Sequence, residues 1–197
     1  LEEAIKLFTG KSSPTIVSLE PNGLEDIWSD IRRVARALDA EEQANKLLEN
    51  LQDRIEKIAA KISQATVQPT VVRIEWIEPL MVAGNWVPTL VKLAGGIDLL
   101  GKENEHAPWA TWEELQEANP DIIVTMPCCY DIEKTRSEML PLTSSPQWAD
   151  LGAVKSGQVY FTDGNQYFNR PGPRLVESLE ILAEIFHPEV FDFGHAD

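Results

Sequence analysis

The sequence predicts an α/β fold with a parallel-type sheet, and three observations carry that reading. Short β-branched or apolar runs at 71–77, 121–126 and 159–162 have the length and composition of buried strands. Amphipathic helical stretches separate them, and Gly, Pro and Asn punctuate the joins. Strands and helices alternating in this way build sheets covered on both faces, so residues 69–197 are expected to form a three-layer α/β/α lobe.

Leu1, Ala4, Ile5 and Phe8 share one helical face and Gly10 follows, so a helix tail is expected first. The apolar run 15–19 reads as a strand, closed by a turn at Pro21, Asn22 and Gly23. Leu24, Ile27, Trp28, Ile31, Val34 and Leu38 then recur at threes and fours as a helix. Asp39 followed by Glu42 has the form of a capping box. Beyond it Ala44, Leu47, Leu48, Leu51, Ile55, Ile58, Ala59 and Ile62 hold one apolar stripe over about six turns, a span of about 35 Å. A coiled-coil seam is the rival reading, but the spacing drifts over only about three heptads, which favours a long helix lying across a globular body. Gln68, Pro69 and Thr70 close this segment.

After the strand at 71–77, Asn85 is the expected cap of a helix with Pro88 in its first turn and Gly95 and Gly96 at its end. Thr111 and Glu114 form a second capping box, opening a short helix that Asn119 and Pro120 stop. A helical stretch from about 132 to 140 follows the second strand, and Ser156 and Gly157 turn the chain into the third. Pro173 starts the last helix, with Val176, Leu179, Leu182, Ala183 and Phe186 facing inward. One strand and two helices in residues 1–38 cannot satisfy a sheet's edges. That strand either joins the later sheet or belongs to a sheet outside this sequence, an option that also accounts for a chain beginning at Leu1 rather than Met.

The chain has 197 residues, 17 basic and 32 acidic, for a formal charge of −15. Such an excess of carboxylates speaks against a nucleic-acid partner, which requires a basic footprint. No apolar run approaches the roughly 20 residues of a membrane-spanning helix. Enzyme constellations are thin. Three histidines, at 106, 187 and 195, lie apart from the two cysteines, and no metalloprotease, phosphate-loop or serine-elbow motif is present. Cys128 and Cys129 are adjacent, which disfavours a bridge between them, and read as one buried thiol and one loop thiol. Asp163, Gly164 and Asn165 read as a turn rather than a calcium loop.

Ligands of open parallel sheets bind beyond the carboxyl ends of the strands. The loops there carry Glu78, Asn85 and Trp86, then Pro108, Trp109 and Trp112, then Cys128, Cys129 and Tyr130, and finally Gln166, Tyr167, Asn169 and Arg170. An aromatic edge with a few amides and one Arg suits a large, flat, partly apolar ligand, and Trp86, Trp109, Tyr130, Gln166, Tyr167 and Arg170 are its candidate contacts. Trp76, within a strand, is expected in the core. Glu113 and Glu114 sit where a helix dipole favours acids whatever their role.

The run 16–21, the long helix, the Pro108 and Trp109 pair before a capped helix, the Asn119 to Val124 strand entry and the segment 169–174 together resemble the helical-backbone substrate-binding proteins of ABC importers. Within that family the chain looks most like the cobalamin-binding proteins, relatives of the ferric-siderophore and haem binders. The resemblance implies two α/β lobes joined by a rigid helix: 1–38 as the end of an N-terminal lobe whose remainder is absent from this sequence, 39–68 as the interlobe helix, and 69–197 as the C-terminal lobe. It also implies a non-enzymatic protein of the periplasm or cell envelope without an intrinsic cofactor, binding cobalamin, haem or a ferric siderophore in an interlobe cleft and delivering it to permease subunits. Trp109 then falls where an aromatic meets the corrin, Gln166, Tyr167 and Arg170 in a ligand-contacting loop, and Glu113 at the carboxylate that docks onto the permease. Gln166 replaces an Asp common in that loop, and Cys128 and Cys129 replace a glycine-rich turn. A cytoplasmic cofactor-handling protein or enzyme on a related two-lobe fold is the alternative.

Overall fold

A computed structural model of the chain describes residues 15–195. Among the described residues the first regular element is helix α1, Leu24–Ala37, whose entry is held by the Asp26 carboxylate accepting from the backbone N–H groups of Asn22 and Gly23 at 3.0 and 2.9 Å. Its inward face is Leu24, Ile27, Trp28 and Ala35. Helix α2, Glu41–Ile62, buries Ala44, Leu48, Leu51 and Ile58, the last three in the same core as Leu24, Ile27 and Trp28. Arg54 of α2 reaches the carboxylate of Glu180 with three hydrogen bonds of 2.8 to 3.0 Å, a bidentate pair that fastens the long helix to the last one, α9, Leu175–Phe186.

The sheet is made by β1 (Thr70–Trp76), β2 (Met81–Val82), β3 (Ile97–Asp98), β4 (Ile122–Thr125) and β5 (Val159–Phe161). Its order is β2-β1-β4-β5, with β3 also beside β1. β1 pairs in parallel with β4 from Val71↔Ile122 to Ile74↔Thr125, β4 with β5 from Ile123↔Val159 to Thr125↔Phe161, and β3 with β1. Only β2 runs antiparallel, folding back on the end of β1. Side chains alternate across such a sheet. Val71, Val124 and Met126 therefore face a core shared with α1, α2, α9 and helix α3 (Val87–Leu93). Val72, Ile74 and Ile123 face a second core with Leu115 of α4 (Trp112–Ala118) and Met139, Leu142, Trp148 and Leu151. The sheet is thus covered on both faces, as expected.

Several sequence expectations hold in detail. Thr111 Oγ1 accepts from Glu114 N at 3.2 Å while the Glu114 carboxylate accepts from Thr111 N at 2.8 Å, completing that capping box. Asn119, at φ 36, ends α4 in the left-handed conformation, and Gly95, at φ 81, follows α3. Helix α5, Ile132–Glu138, is capped by Asp131 accepting from Lys134 N at 2.8 Å.

Others are corrected. Residues 15–19 form no strand: among the described residues nothing pairs with them, and Ile16 and Leu19 are each 46% exposed. The helix expected over Leu1 to Phe8 lies outside the described residues. Asp39 does not cap α2. It adopts φ 54 and closes α1, with Ala40 N donating to Ala35 O at 2.9 Å and Asp39 N to Arg36 O at 3.5 Å, the paired bonds of a Schellman motif. The turn between the helices is too tight for one residue to serve both, so Glu42 pairs with Lys46 instead, at 2.6 Å. Asn85, at φ 53, exchanges backbone hydrogen bonds with Glu105 and Asn104 and does not cap α3. Trp76 is half-buried rather than core, because its indole lies where β1 emerges from the sheet and donates to Glu78 O at 3.1 Å. Neither cysteine is buried: Cys128 is intermediate and Cys129 exposed on the turn after β4. Strands β2 and β3 and the short helices α6 (Leu140–Thr143), α7 (Pro146–Asp150) and α8 (Gly152–Lys155) are further elements that hydrophobic periodicity does not resolve.

Candidate functional site

The carboxyl ends of β1, β4 and β5 carry loops laced to one another through their backbones. Cys128 N donates to Glu75 O at 3.1 Å, joining the turn after β4 to the end of β1, and Asn165 N donates to Tyr130 O at 3.1 Å, joining it to the loop after β5. That last loop makes a single π-helical turn, Gly164–Phe168, capped by the Asp163 carboxylate accepting from Gln166 N at 2.7 Å. Asp163 is thereby committed to a turn, as its sequence context suggested.

Trp109 is the most exposed aromatic of this edge, at 64%. Its backbone is nonetheless fixed. Val82 N donates to Pro108 O at 3.0 Å and Ala110 N to Leu80 O at 2.9 Å, so that Trp109 stands opposite Met81 as an extra rung on β2. Glu113 follows in the first turn of α4, also exposed. Arg170 is exposed and donates through Nη2 to Asn165 Oδ1 at 2.8 Å, which orients the guanidinium.

The remaining candidates are more occupied. Trp86 is half-buried, with its indole N–H donating to Phe168 O at 2.9 Å, a brace between the first and last loops. Tyr130 packs on Trp76 with ring centroids 5.5 Å apart, and Lys134 Nζ lies 4.1 Å from its ring centre. Gln166 and Tyr167 line a pocket with Arg136, Phe161 and His195, one that Trp86, Trp109, Tyr130 and Arg170 do not line. The structure thus brings Arg170 and Asn165 together and laces their loop to that of Tyr130, while Gln166 and Tyr167 face a separate hollow beside β5.

Residues 2–166 match the family model described as periplasmic binding protein. The chain belongs to that family. One relative is an uncharacterized ABC transporter substrate-binding lipoprotein, YvrC, of Bacillus subtilis (strain 168), 23% identical over an alignment 197 positions long that covers 96% of this chain and 59% of the relative. The chain therefore spans well under two thirds of that relative's length. Among solved structures, an ABC transporter substrate-binding protein from Listeria monocytogenes EGD-e superposes with a TM-score of 0.77 at 23% identity, covering 87% of this chain and 67% of that one. IsdE of S. aureus, solved in complex with heme, gives a TM-score of 0.75 at 21% identity, covering 86% of this chain and 67% of that one. These likenesses show the fold of a periplasmic binding protein.

Within this periplasmic binding protein, two polar residues of the edge were not singled out from the sequence as candidate contacts. Glu75, near the end of β1, is half-buried, and desolvation holds its carboxyl above the usual carboxylate range against the opposing pull of the Gly84 N–H, His106, Arg73 and Asn169. Asn169 is one of the groups pulling the Glu75 carboxyl back down, and its own buried side-chain carbonyl oxygen has no partner among the described residues. A charge at 75 inside an apolar strand, on the same face as Arg73, was the available signal for Glu75. For Asn169 the signal was only its place in the loop after the third strand, because its nearness to Glu75 spans more than ninety positions of chain. The Cys128 thiol is likewise pushed up, first by burial, then by its hydrogen bond and charge coupling to Cys129 and by Glu75, with Arg170 opposing. Among the described residues no three His, Cys, Asp or Glu side chains are grouped to hold a metal ion, and no helix is long and apolar enough to cross a membrane.

Proposed function

We propose that this chain is the larger part of the ligand-binding component of an ABC importer, taking a corrinoid or iron chelate such as cobalamin, haem or a ferric siderophore at the edge formed by Trp109, Arg170 and the turn after β4. The observation that carries the reading is Trp109 itself. A large indole, 64% exposed on a backbone that flanking hydrogen bonds fix in place, offers a stacking surface on which a flat ligand can settle. Arg170, oriented by Asn165, supplies a donor for a propionate, amide or hydroxamate rim. Trp86 and Tyr130 contribute as the braces behind that surface, and Gln166 and Tyr167 as the outer wall of the last loop.

On this reading residues 39–68 span between lobes, 1–38 end the N-terminal lobe and 69–197 form the C-terminal lobe. Glu113, exposed beside Trp109 in sequence, is the carboxylate that meets the permease, and the protein works in the periplasm or cell envelope without catalysing a reaction. The test is calorimetric titration of the protein at its natural full length with cyanocobalamin, haem and a ferric hydroxamate. One of the three is expected to bind at one site per chain, more weakly in Trp109→Ala. Silence from all three overturns the reading.

A further inference from the structure

The sulfur atoms of Cys128 and Cys129 lie 3.8 Å apart on the turn after β4. Cys129 holds φ 64, a conformation that L residues seldom adopt, and Cys128 N is pinned to Glu75 O at 3.1 Å, so the backbone that carries the two side chains is held in place. That separation is far from the roughly 2.05 Å of a disulfide. It is close to what a bridging metal requires, since two metal–sulfur bonds of about 2.3 Å meeting at a tetrahedral angle span about 3.8 Å.

With no third acidic, thiol or imidazole group in position among the described residues, the pair offers half of a tetrahedral sphere and leaves two adjacent positions open. Cys129 is exposed, so those positions face outward, on the loop that Tyr130 and Asn165 join to Arg170's. We propose that Cys128 and Cys129 form an open two-thiolate site for a thiophilic divalent metal ion, whose remaining positions are filled by water. Capture of the six-coordinate aqua ion releases one proton from each thiol and four waters to solvent, forms two metal–sulfur bonds, leaves two waters on the tetrahedral metal and involves no change of oxidation state.

The site goes beyond the importer reading and is separate from the Trp109 surface that reading assigns to the chelate. Capture of the metal itself does not depend on that reading. Soft thiolates favour zinc-like ions over magnesium or calcium.

The experiment uses the fully reduced protein and Co2+ alone as a spectroscopic stand-in for Zn2+. Expected are sulfur-to-cobalt charge-transfer absorption saturating at one ion per chain, release of two protons per ion, and loss of the absorption on adding Zn2+. Cys128→Ser and Cys129→Ser are each expected to weaken Zn2+ binding by at least about tenfold, the scale on which even outer-shell losses act. Far-ultraviolet circular dichroism and thermal melting of both variants report whether the fold persists. Absence of the absorption in the parent protein, or its persistence in either folded variant, overturns the site. Cobalt capture without binding of any chelate removes the importer reading alone, and chelate binding without cobalt capture removes this site alone.

Discussion

Arg73 on β1 and Asp98 on β3 form an ion pair in which the guanidinium is wholly removed from solvent. Arg73 Nη2 also donates to Ala83 O at 2.8 Å, and Asp98 accepts from Gly101 N at 2.8 Å, so one buried charge ties together β1, β3 and the segment after β2. Burial lowers the pKa of Arg73 and raises that of Asp98, the sign of two ions taken out of water, while their mutual attraction opposes both shifts.

Removing one partner leaves the other charged and unpaired in the core. Asp98→Leu is therefore expected to cost about 3–5 kcal/mol, and the double replacement Arg73→Met with Asp98→Leu considerably less than the sum of the singles. Urea denaturation of the four proteins of that cycle measures the difference; additive singles would show that the pair is not coupled.

Much of this architecture is legible in the sequence, and its limits have physical causes. The stripe of α2 and the Thr111 and Glu114 box are read correctly because each rests on contacts within about one helical turn. Asp39 misleads because the residue types that begin a helix also tolerate the left-handed conformation that ends one. Strands β2 and β3, two residues each, are too short to show a period. The candidate site divides in the same way. That an aromatic, amide-rich edge lies beyond the strands follows from chain order, whereas the bracing of Trp86 by Phe168 and the burial of Glu75 depend on partners far away in sequence.

Asp121 couples the fold to pH. Its carboxylate accepts from both the hydroxyl and the N–H of Thr70 at 2.6 and 2.8 Å, closing β1 onto β4, and these bonds hold its pKa below the usual value. A depressed pKa means that the unfolded chain binds the proton more readily, so this contribution is present above the ordinary carboxylate range and lost as pH falls through the folded value. Asp121→Asn is expected to lower the melting temperature at neutral pH and to converge with the parent in acid. A difference independent of pH would contradict the assignment.

Glu75 carries the opposite sign. Desolvation raises its pKa, so the folded chain binds the proton more readily and the cost of the charged form grows as pH rises above the ordinary value of 4.5. Glu75→Gln keeps an acceptor for the Gly84 N–H and is expected to melt higher than the parent at neutral pH, with the gap closing in acid. Equal melting temperatures at every pH would mean that the Gly84, His106, Arg73 and Asn169 contacts compensate the burial in full.

Trp109 and Trp148 separate binding from stability. Trp148 is only 5% exposed and packs among Met139, Leu142 and Leu151, so Trp148→Ala is expected to cost about 3–5 kcal/mol in unfolding free energy. Trp109 is 64% exposed and contributes to the fold through its backbone, which alanine preserves, so Trp109→Ala is expected to change stability by no more than about 0.5 kcal/mol. If the exposed indole is the stacking surface, the same variant loses about 0.5–1.5 kcal/mol of ligand binding, up to roughly tenfold in affinity. Calorimetric titration and urea unfolding of both variants give the four values. An affinity unaffected by Trp109→Ala would move the ligand away from this edge and toward the hollow lined by Gln166 and Tyr167.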